Sequence, residues 1–363
     1  MKNLFAPLLA VLLLTSATQA QSAEPKAAAA PGPADELIIS AVGDIMLDAS
    51  SRPVMDQMGY DYPYAQVRKY FDGSQIVFGN LEGPLTTRGT PDGDKKFVFH
   101  SPPEKVTAAL KNAGFNVVSL ANNHTLDYGA DGLAQTVEAL DAAGIQHAGA
   151  GADIMAARQP ALLQAGGHKI AILAYSITLP ENFYAGVHRP GTAFAYEEQV
   201  HDDIVAAKKQ ADIVLVSFHW GQEGKTKLRE YQTRIGHLAI DSGASAVIGH
   251  HPHILQGIER YKDGVILYSL GNFTFGSYSS HSIRSAIARL HFRNGRLQQL
   301  QMFPINVNNF EVQFQPQPLH GQDANAVIAN LHKLSAALKT DVRNDAGVGV
   351  VTLDRTNLAN RAR

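Results

Sequence analysis

The segment VIGHHPH, residues 247–253, places three histidines within four positions directly after an apolar run. Side chains two residues apart on an extended chain point to the same face, so His251 and His253 are predicted to face one centre. Pro252 has no N–H for a sheet hydrogen bond, which indicates that the chain leaves its strand there as a loop. Since imidazole nitrogens bind divalent transition metals, the spacing favours a metal site over a turn of solvated histidines.

Other apolar runs in the chain also end in polar side chains. Buried polar groups are costly unless they have partners, and a divalent cation satisfies carboxylate, amide oxygen and imidazole together. We therefore predict that these strand-end residues converge on one or two metal ions. They are Asp44, Asn80, Glu82, Asn122, Asn123, His124, His219, His250, His251 and His253.

The apolar runs alternate with helical patterns. Helices are predicted near 104–113, 130–143, 196–209 and 226–242, each between strand-like segments. The strands lack polar alternation, as is typical of sheets covered on both faces. This order predicts an α/β fold whose parallel strands carry the site at their ends.

The pattern changes after residue 283. A hairpin with its turn at Asn294 and Gly295, a helix near 323–338 and a strand over GVGVVTLD are predicted. We expect a core over 37–283, with the hairpin, helix and strand of 284–355 packed on it. Residues 356–363 are expected to be a tail.

The N-terminal residues predict export. Residues 1–20 contain Lys2, an apolar stretch and small residues up to Ala20, as in a secretory signal peptide. The apolar stretch is short for a membrane span, and an uncleaved signal anchor is the alternative. Residues 21–36 are rich in Ala and Pro, which is typical of a linker. The periplasm or the cell exterior is the expected location.

The composition narrows the chemistry. With 31 basic and 33 acidic residues, the charge balance gives no indication of a nucleic-acid partner. The absence of cysteine excludes thiolate ligands, thiol nucleophiles and disulfides. Ligands must then be His, Asp, Glu or Asn, which suit Mn, Zn, Fe or Mg.

Five short motifs resemble, in unbroken order, those of the capsule-synthesis protein A (CapA) family. That family is associated with poly-γ-glutamate synthesis and belongs to the calcineurin-like metallophosphatase superfamily. The similarity extends over about 38–275. The motifs are GD at 43–44, GNLE at 79–82, ANNH at 121–124, FHWG at 218–221 and GHHPH at 249–253.

The resemblance implies a fold and residue roles. It implies two mixed β-sheets packed together and flanked by helices, an αββα sandwich, with two metals at the strand ends. His124 corresponds to a catalytic histidine, and His250 falls outside the histidine pair and is expected to support it. The residues that correspond to metal ligands are Asp44, Asn123, His219, His251 and His253.

Two motifs depart from the superfamily. Where the superfamily has Asp-x-His, this chain has Met46, and a thioether is a poor ligand for these ions, so we expect Met46 to pack in the core. Where a bridging aspartate is usual, Asn80 stands instead. Glu82, on the same face as Asn80, is the expected bridging carboxylate. Whether one or two ions bind stays open.

Several residues are expected beside the ligands. Asp127, three residues after His124, can hydrogen-bond its ring if the segment turns helically, and the alternative is a helix N-cap. The residues expected to hold the ligands or contact substrate are Asn122, Glu223, His250 and Asn272. Lys95 and Lys96 are expected to lie in a solvated turn rather than to attract an acidic substrate.

Three functions are compatible with these residues. The first is an exported metal-dependent hydrolase or transferase acting on an anionic polymer such as poly-γ-glutamate. The second is a general metallophosphoesterase, against which the altered motifs count. The third is a non-catalytic, metal-stabilised subunit that binds the polymer or a membrane polymer synthase.

Overall fold

The computed structural model describes residues 36–353, together with Met1. The predicted signal peptide, nearly all of the predicted linker and the predicted tail lie outside these residues. Within the described part, no helix has the length and apolar character that a membrane crossing needs.

The described residues contain eighteen strands. In chain order they are β1 Glu36–Met46, β2 Ile76–Leu81, β3 Val117–Ser119, β4 Gln146–Ala148, β5 Ala150–Gly151, β6 Ala161–Ala165, β7 His168–Ser176, β8 Gly191–Thr192, β9 Ile213–His219, β10 Ala246–His250, β11 Ile258–Tyr261, β12 Gly264–Leu267, β13 Asn272–Phe275, β14 Arg284–Arg293, β15 Arg296–Asn306, β16 Gln317–Pro318, β17 Arg343–Asp345 and β18 Val348–Thr352.

Helices connect many of these strands. They are α1 Arg52–Met58, α2 Pro103–Ala113, α3 Gly129–Ala142, α4 Ile154–Ala157, α5 Glu197–Lys208, α6 Glu230–Asp241, α7 Asn309–Val312 and α8 Gly321–Ala336. Short 3-10 turns occur at Ala49–Ser51, Tyr62–Tyr64, Arg68–Phe71 and Glu181–Phe183.

The strands form two large mixed sheets. The first has ten strands, in the order β17-β18-β15-β14-β1-β2-β3-β4, with β13 also paired to β1 and β16 to β15. The second has six, in the order β11-β12-β10-β9-β7-β6. In the second sheet β7, β9, β10 and β12 are parallel, and the edge strands β6 and β11 are antiparallel. Strands β5 and β8 pair separately.

The two sheets pack face to face and helices cover their outer faces. Along β1, Leu37 and Ile39 belong to the same buried cluster as Ile172 and Leu215 of the second sheet. Val42 of β1 instead faces the layer of α2 and α3. Helices α5 and α6 cover the other outer face. This arrangement confirms the predicted α/β class with two packed mixed sheets, and the apolar strands follow from burial on both faces.

The predicted C-terminal hairpin, helix and strand are present as β14, β15, α8 and β18. Strand β14 pairs antiparallel with the first half of β1, from Glu36 to Ala41. The segment after residue 283 therefore forms the half of the first sheet that lies beyond β1. Beyond Ala41, β13 takes the place of β14 beside β1 and brings Asn272 opposite Asp44.

Candidate metal centre

Glycines allow the loops at the strand ends to approach each other. A Cβ built at Gly43 would lie 1.8 Å from the carbonyl oxygen of Gly271, and the next residue, Asp44, donates its N–H to that oxygen at 3.0 Å. In the second sheet, a Cβ at Gly249 would lie 2.0 Å from the carbonyl oxygen of Tyr268. Any larger residue would push the strand ends apart, so each glycine positions the polar residue that follows it.

Five predicted residues meet in two groups at these strand ends. Ligand-type atoms of Asp44, Glu82 and His219 lie within 4.8 Å of one another, and so do those of Glu82, His251 and His253. Glu82 belongs to both groups. The geometry therefore has the form of two adjacent cation positions that share one carboxylate, which is the role predicted for Glu82 from its position.

The donor set fits a divalent cation. Asp44 and Glu82 are fully buried, and Glu82 Oε1 and His251 Nδ1 have no hydrogen-bond partner among the described residues. Both nitrogens of the buried His250 also lack one, although His250 Nδ1 lies 3.4 Å from Asp44 Oδ1. Because native proteins seldom leave buried polar atoms unpaired, these oxygen and nitrogen atoms are suited to coordinate a cation.

The pKa values of the two carboxyl groups in the centre are shifted strongly, in opposite directions. Burial opposes ionisation of Asp44, but the neighbouring His250 and His253 rings outweigh it and hold the pKa of Asp44 well below its usual range. Burial, and then the charge of Asp44, raise the pKa of Glu82 well above its usual range. Two buried carboxylates this close cannot both ionise without a compensating cation.

The histidines divide into neutral and charged rings. Burial, followed by the charge of His251, lowers the pKa of His219 well below its usual range. Burial, followed by the charge of His253, lowers the pKa of His251 to about 3. For His253, burial is outweighed by Glu82 and Asp44, which raise its pKa to about 10. A proton on His253 therefore balances the carboxylates in the metal-free protein, and a cation would replace it.

The predicted reason for the His251 and His253 pairing is wrong, although both rings reach the centre. Strand β10 ends at His250, and the φ angles of His251 and His253 are +93° and +58°, so this segment is not extended. The left-handed turn brings the His251 ring within 4.7 Å of the His219 ring, measured between centroids. Non-glycine residues rarely adopt such angles, and they concentrate at functional sites.

His124 and Asp127 form the predicted pair. His124 Nδ1 lies 2.7 Å from Asp127 Oδ2, and Asp127 is fully buried. The alternative role of Asp127 as an N-cap is not observed, because α3 begins after Tyr128 without a side-chain cap. Burial lowers the pKa of His124 despite Asp127, so the ring is neutral at pH 7.

Lys95 is a site residue that the sequence interpretation missed. Its ammonium group forms an ion pair with Asp127, donates to the carbonyl oxygen of Asn123, and lies 3.2 Å from His124 Nδ1. The expectation of a solvated turn is therefore wrong for Lys95. Phe99, from the same irregular segment, packs on the His124 ring with 4.6 Å between centroids. The only available signal was a lysine before an aromatic-rich stretch.

The asparagines play different parts. Asn123 Oδ1 lies 2.8 Å from His219 Nε2, so the amide oxygen reaches the centre, and its role as a ligand stays a prediction. Asn80 was predicted as a ligand, but its Oδ1 accepts a hydrogen bond from Asn122 and its Nδ2 donates to Asp44 at 2.9 Å. With the nitrogen rather than the oxygen toward Asp44, the amide donates to the centre, and the role of Asn80 as a ligand stays a prediction. In this arrangement Asn80 holds Asp44 in place.

The residues predicted to support the ligands also have different roles. Asn122 accepts the N–H of His124 at 3.0 Å, and Asn272 Oδ1 accepts from His253 Nδ1 at 2.9 Å, so both orient site histidines. Glu223 is exposed and contributes only its charge, which raises the pKa of Glu82 and of His253. Met46 is buried, and its sulfur faces the backbone N–H of Asp48, in keeping with the predicted packing role.

Comparison with known proteins agrees with these motifs. Residues 38–277 match the family described as "Bacterial capsule synthesis protein PGA_cap". The chain is 33% identical over 307 residues to "Capsule biosynthesis protein CapA" of Bacillus anthracis, covering 83% of this chain and 74% of that protein. It is 34% identical over 276 residues to "PGA biosynthesis protein CapA" of Bacillus subtilis (strain 168), covering 76% and 72%.

The similarity to solved structures is weaker than the similarity to these sequences. The calcineurin-like phosphoesterase YfkN from Bacillus subtilis superposes with a TM-score of 0.42 and 15% identity, over 73% of this chain and 88% of that one.

Proposed function

This chain belongs to the PGA_cap family of bacterial capsule synthesis proteins, and we propose that it is a metal-dependent enzyme acting on an anionic polymer of the poly-γ-glutamate type. The predicted signal peptide adds to the proposal that it works outside the cytoplasm. The observation that carries it is the buried carboxylate and histidine cluster beside an ordered His–Asp pair. Purely structural clusters normally pair their polar atoms internally.

The site residues support cleavage of a polymer amide. A bound divalent cation would supply Lewis acidity toward the reacting carbonyl oxygen. The residues that would hold it are Asp44, Glu82, Asn123, His219, His251 and His253. Mn, Zn, Fe and Mg all suit this set, and the two groups sharing Glu82 favour two ions.

His124 is the proposed acid–base residue. Its Nδ1 is engaged by Asp127, which leaves Nε2 as the working nitrogen. Because the ring is neutral, Nε2 first accepts the proton of the attacking water or other nucleophile. It then delivers that proton to the departing amine nitrogen as the carbon–nitrogen bond breaks. Asp127 fixes the tautomer, and Lys95 offsets its charge.

A phosphoester is the second candidate substrate. The two ligand groups that share Glu82 suit displacement at phosphorus as well as at a carbonyl carbon.

An assay with two substrates separates these possibilities. Purified protein supplied with Mn or Zn is offered poly-γ-glutamate and a chromogenic phosphodiester. Polymer turnover that is lost with a chelator and in His124→Ala, but kept in His147→Ala, supports the proposal. His147 is a suitable control because it lies on edge strand β4 against Asp141.

The other outcomes are equally informative. Turnover of the phosphodiester alone selects the second candidate. Polymer binding without turnover of either compound selects a non-catalytic subunit that binds polymer or a synthase. Activity that survives in His124→Ala removes the acid–base assignment.

A further inference from the structure

A loop beside the metal centre carries an unused set of positive charges. It connects β9, which ends at His219, to α6, which begins at Glu230. A cleft of about 630 Å³ opens along it, lined by residues 222 and 224–230. Lys225, Lys227 and Arg229 alternate along this cleft and are exposed. We call the segment 220–229, which carries these three residues, the basic loop.

The basic loop is held against the residues of the centre. Gly224 donates its N–H to the carbonyl oxygen of Pro252 at 2.9 Å, between the two histidines of the pair. Gln256 Nε2 donates to the carbonyl oxygen of Lys225 at 2.8 Å. Gly221 donates its N–H to the Tyr231 hydroxyl at 2.9 Å. The loop is therefore preorganised, which lowers the entropy lost when it binds a ligand.

The charges of the basic loop have no acidic partner among the described residues. Arg229 donates to the side-chain oxygen of Gln222, and Lys225 and Lys227 make no side-chain ion pair there. Nearby cations behave differently, since Arg234 pairs with Glu197 at 2.8 Å. Unpaired cations along a cleft raise the local concentration of anions.

The acidic residues in and directly after the same loop offset this charge only in part, because three cations face two carboxylates, Glu223 and Glu230. Glu223 precedes Gly224, which is hydrogen-bonded to Pro252, so it stands at the end of the loop nearest the candidate metal centre. Glu230 occupies the first turn of α6, where the helix dipole favours a negative charge.

We infer that the basic loop is a binding subsite for successive carboxylates of an acidic polymer, lying beside the centre that acts on it. The inference rests on the proposed function and names how the same site would hold its substrate. Each contact is a weak, exposed ion pair, so affinity comes from several carboxylates bound together and falls with added salt. A single small carboxylate would bind the loop poorly.

Binding of labelled poly-γ-glutamate, followed by fluorescence anisotropy at low salt, tests the subsite. The variant K225Q/K227Q is expected to bind about tenfold more weakly than wild type. The control K111Q/K333Q removes two exposed lysines from α2 and α8, and should stay within about twofold of wild type. Equal affinity of K225Q/K227Q and wild type, or equal loss in both variants, overturns the inference.

The same binding measurement in a variant of the candidate metal centre tests the subsite independently of the catalytic proposal. In H251A/H253A, polymer binding should persist and should still fall when K225Q/K227Q is added. Binding that disappears with the two histidines overturns the subsite and leaves the proposed function standing. Binding that depends on the lysines in a wild-type protein without turnover keeps the subsite and removes the catalytic proposal. Lysine-dependent binding to anionic vesicles but not to the polymer also overturns the inference.

Discussion

Two polar clusters in this molecule, one partly buried and one fully buried, balance their charges in different ways. In the first, Asp203 receives two N–H groups of Arg158, at 2.9 and 2.7 Å, and the Tyr175 hydroxyl at 2.8 Å. In the second, the candidate metal centre, Glu82 Oε1 and His251 Nδ1 have no hydrogen-bond partner within the described part of the chain. The charges of the first cluster are paired within the protein, whereas the second has oxygen and nitrogen atoms that are free to coordinate a cation.

Whether the polar atoms of a cluster are paired within the protein distinguishes a stabilising cluster from a ligand-binding one. A closed ion pair contributes stability and has no room for a ligand. An incomplete cluster costs stability in the metal-free protein, because buried carboxylates repel each other. Such a cost is expected where a bound cation repays it. The comparison predicts that changes to the first cluster alter stability and changes to the second alter metal binding.

The largest expected effect is the loss of metal from the double variant H251A/H253A. Removing the two imidazoles leaves Glu82 alone in one ligand group, while the other keeps Asp44, Glu82 and His219. We expect affinity to fall by more than the ~100-fold that loss of a residue behind a ligand can cost. Elemental analysis after equilibrium dialysis measures this, with His147→Ala as the control. Wild-type metal content in the double variant would make the two clusters equivalent.

The next effect is on the closed cluster. Arg158→Met leaves the partly buried Asp203 without its cation and should lower the free energy of unfolding by about 2 kcal/mol, with metal content unchanged. The matched control is Arg234→Met, whose pair with Glu197 is exposed and should contribute less than about 1 kcal/mol. Denaturant titration measures both. Metal loss in Arg158→Met would contradict the assignment of this cluster to stability.

A smaller effect is expected from pH in the presence of a chelator. Because the pKa of His251 is about 3 when folded and about 6.5 when unfolded, the unfolded chain binds more protons between these values. The titration of His251 therefore destabilises the folded protein increasingly as the pH falls through this window, by up to about 1.4 kcal/mol per pH unit. His251→Asn should remove that destabilisation. Parallel stability curves for the two proteins between pH 7 and 5 would rule it out.

The smallest effect concerns Lys95. Its charge lowers the pKa of His124, so Lys95→Met should raise that pKa. NMR titration of the His124 ring in the metal-free protein measures the change, and Lys96→Met is the control. A pKa of His124 that stays the same in Lys95→Met would show that Lys95 does not influence the His124–Asp127 pair.

The strand-end residues of the centre were predictable because parallel strands bring their carboxyl ends to one edge. Five polar clusters after five apolar runs were sufficient to predict that Asp44, Glu82 and His219 would meet. The α/β class and the Asn294–Gly295 hairpin also followed from local patterns. These features depend on periodicity and turn chemistry, which the sequence contains locally.

The remaining features depend on tertiary contacts. Lys95 lies in an irregular segment without periodicity, and only the folded chain brings it to Asp127. The orientation of the Asn80 amide depends on Asn122, which donates to its oxygen. The φ angles of His251 and His253 are positive, and an extended-chain argument could not foresee them.

Crystals soaked in Mn or Zn, with an anomalous difference map, test the metal centre most directly. The account predicts a peak about 2.0–2.2 Å from a Glu82 carboxylate oxygen and from nitrogens of the surrounding histidines, with a second position on the Asp44 and His219 side if two ions bind. A map with no peak among these residues, while the protein is folded and exposed to the ion, would contradict it.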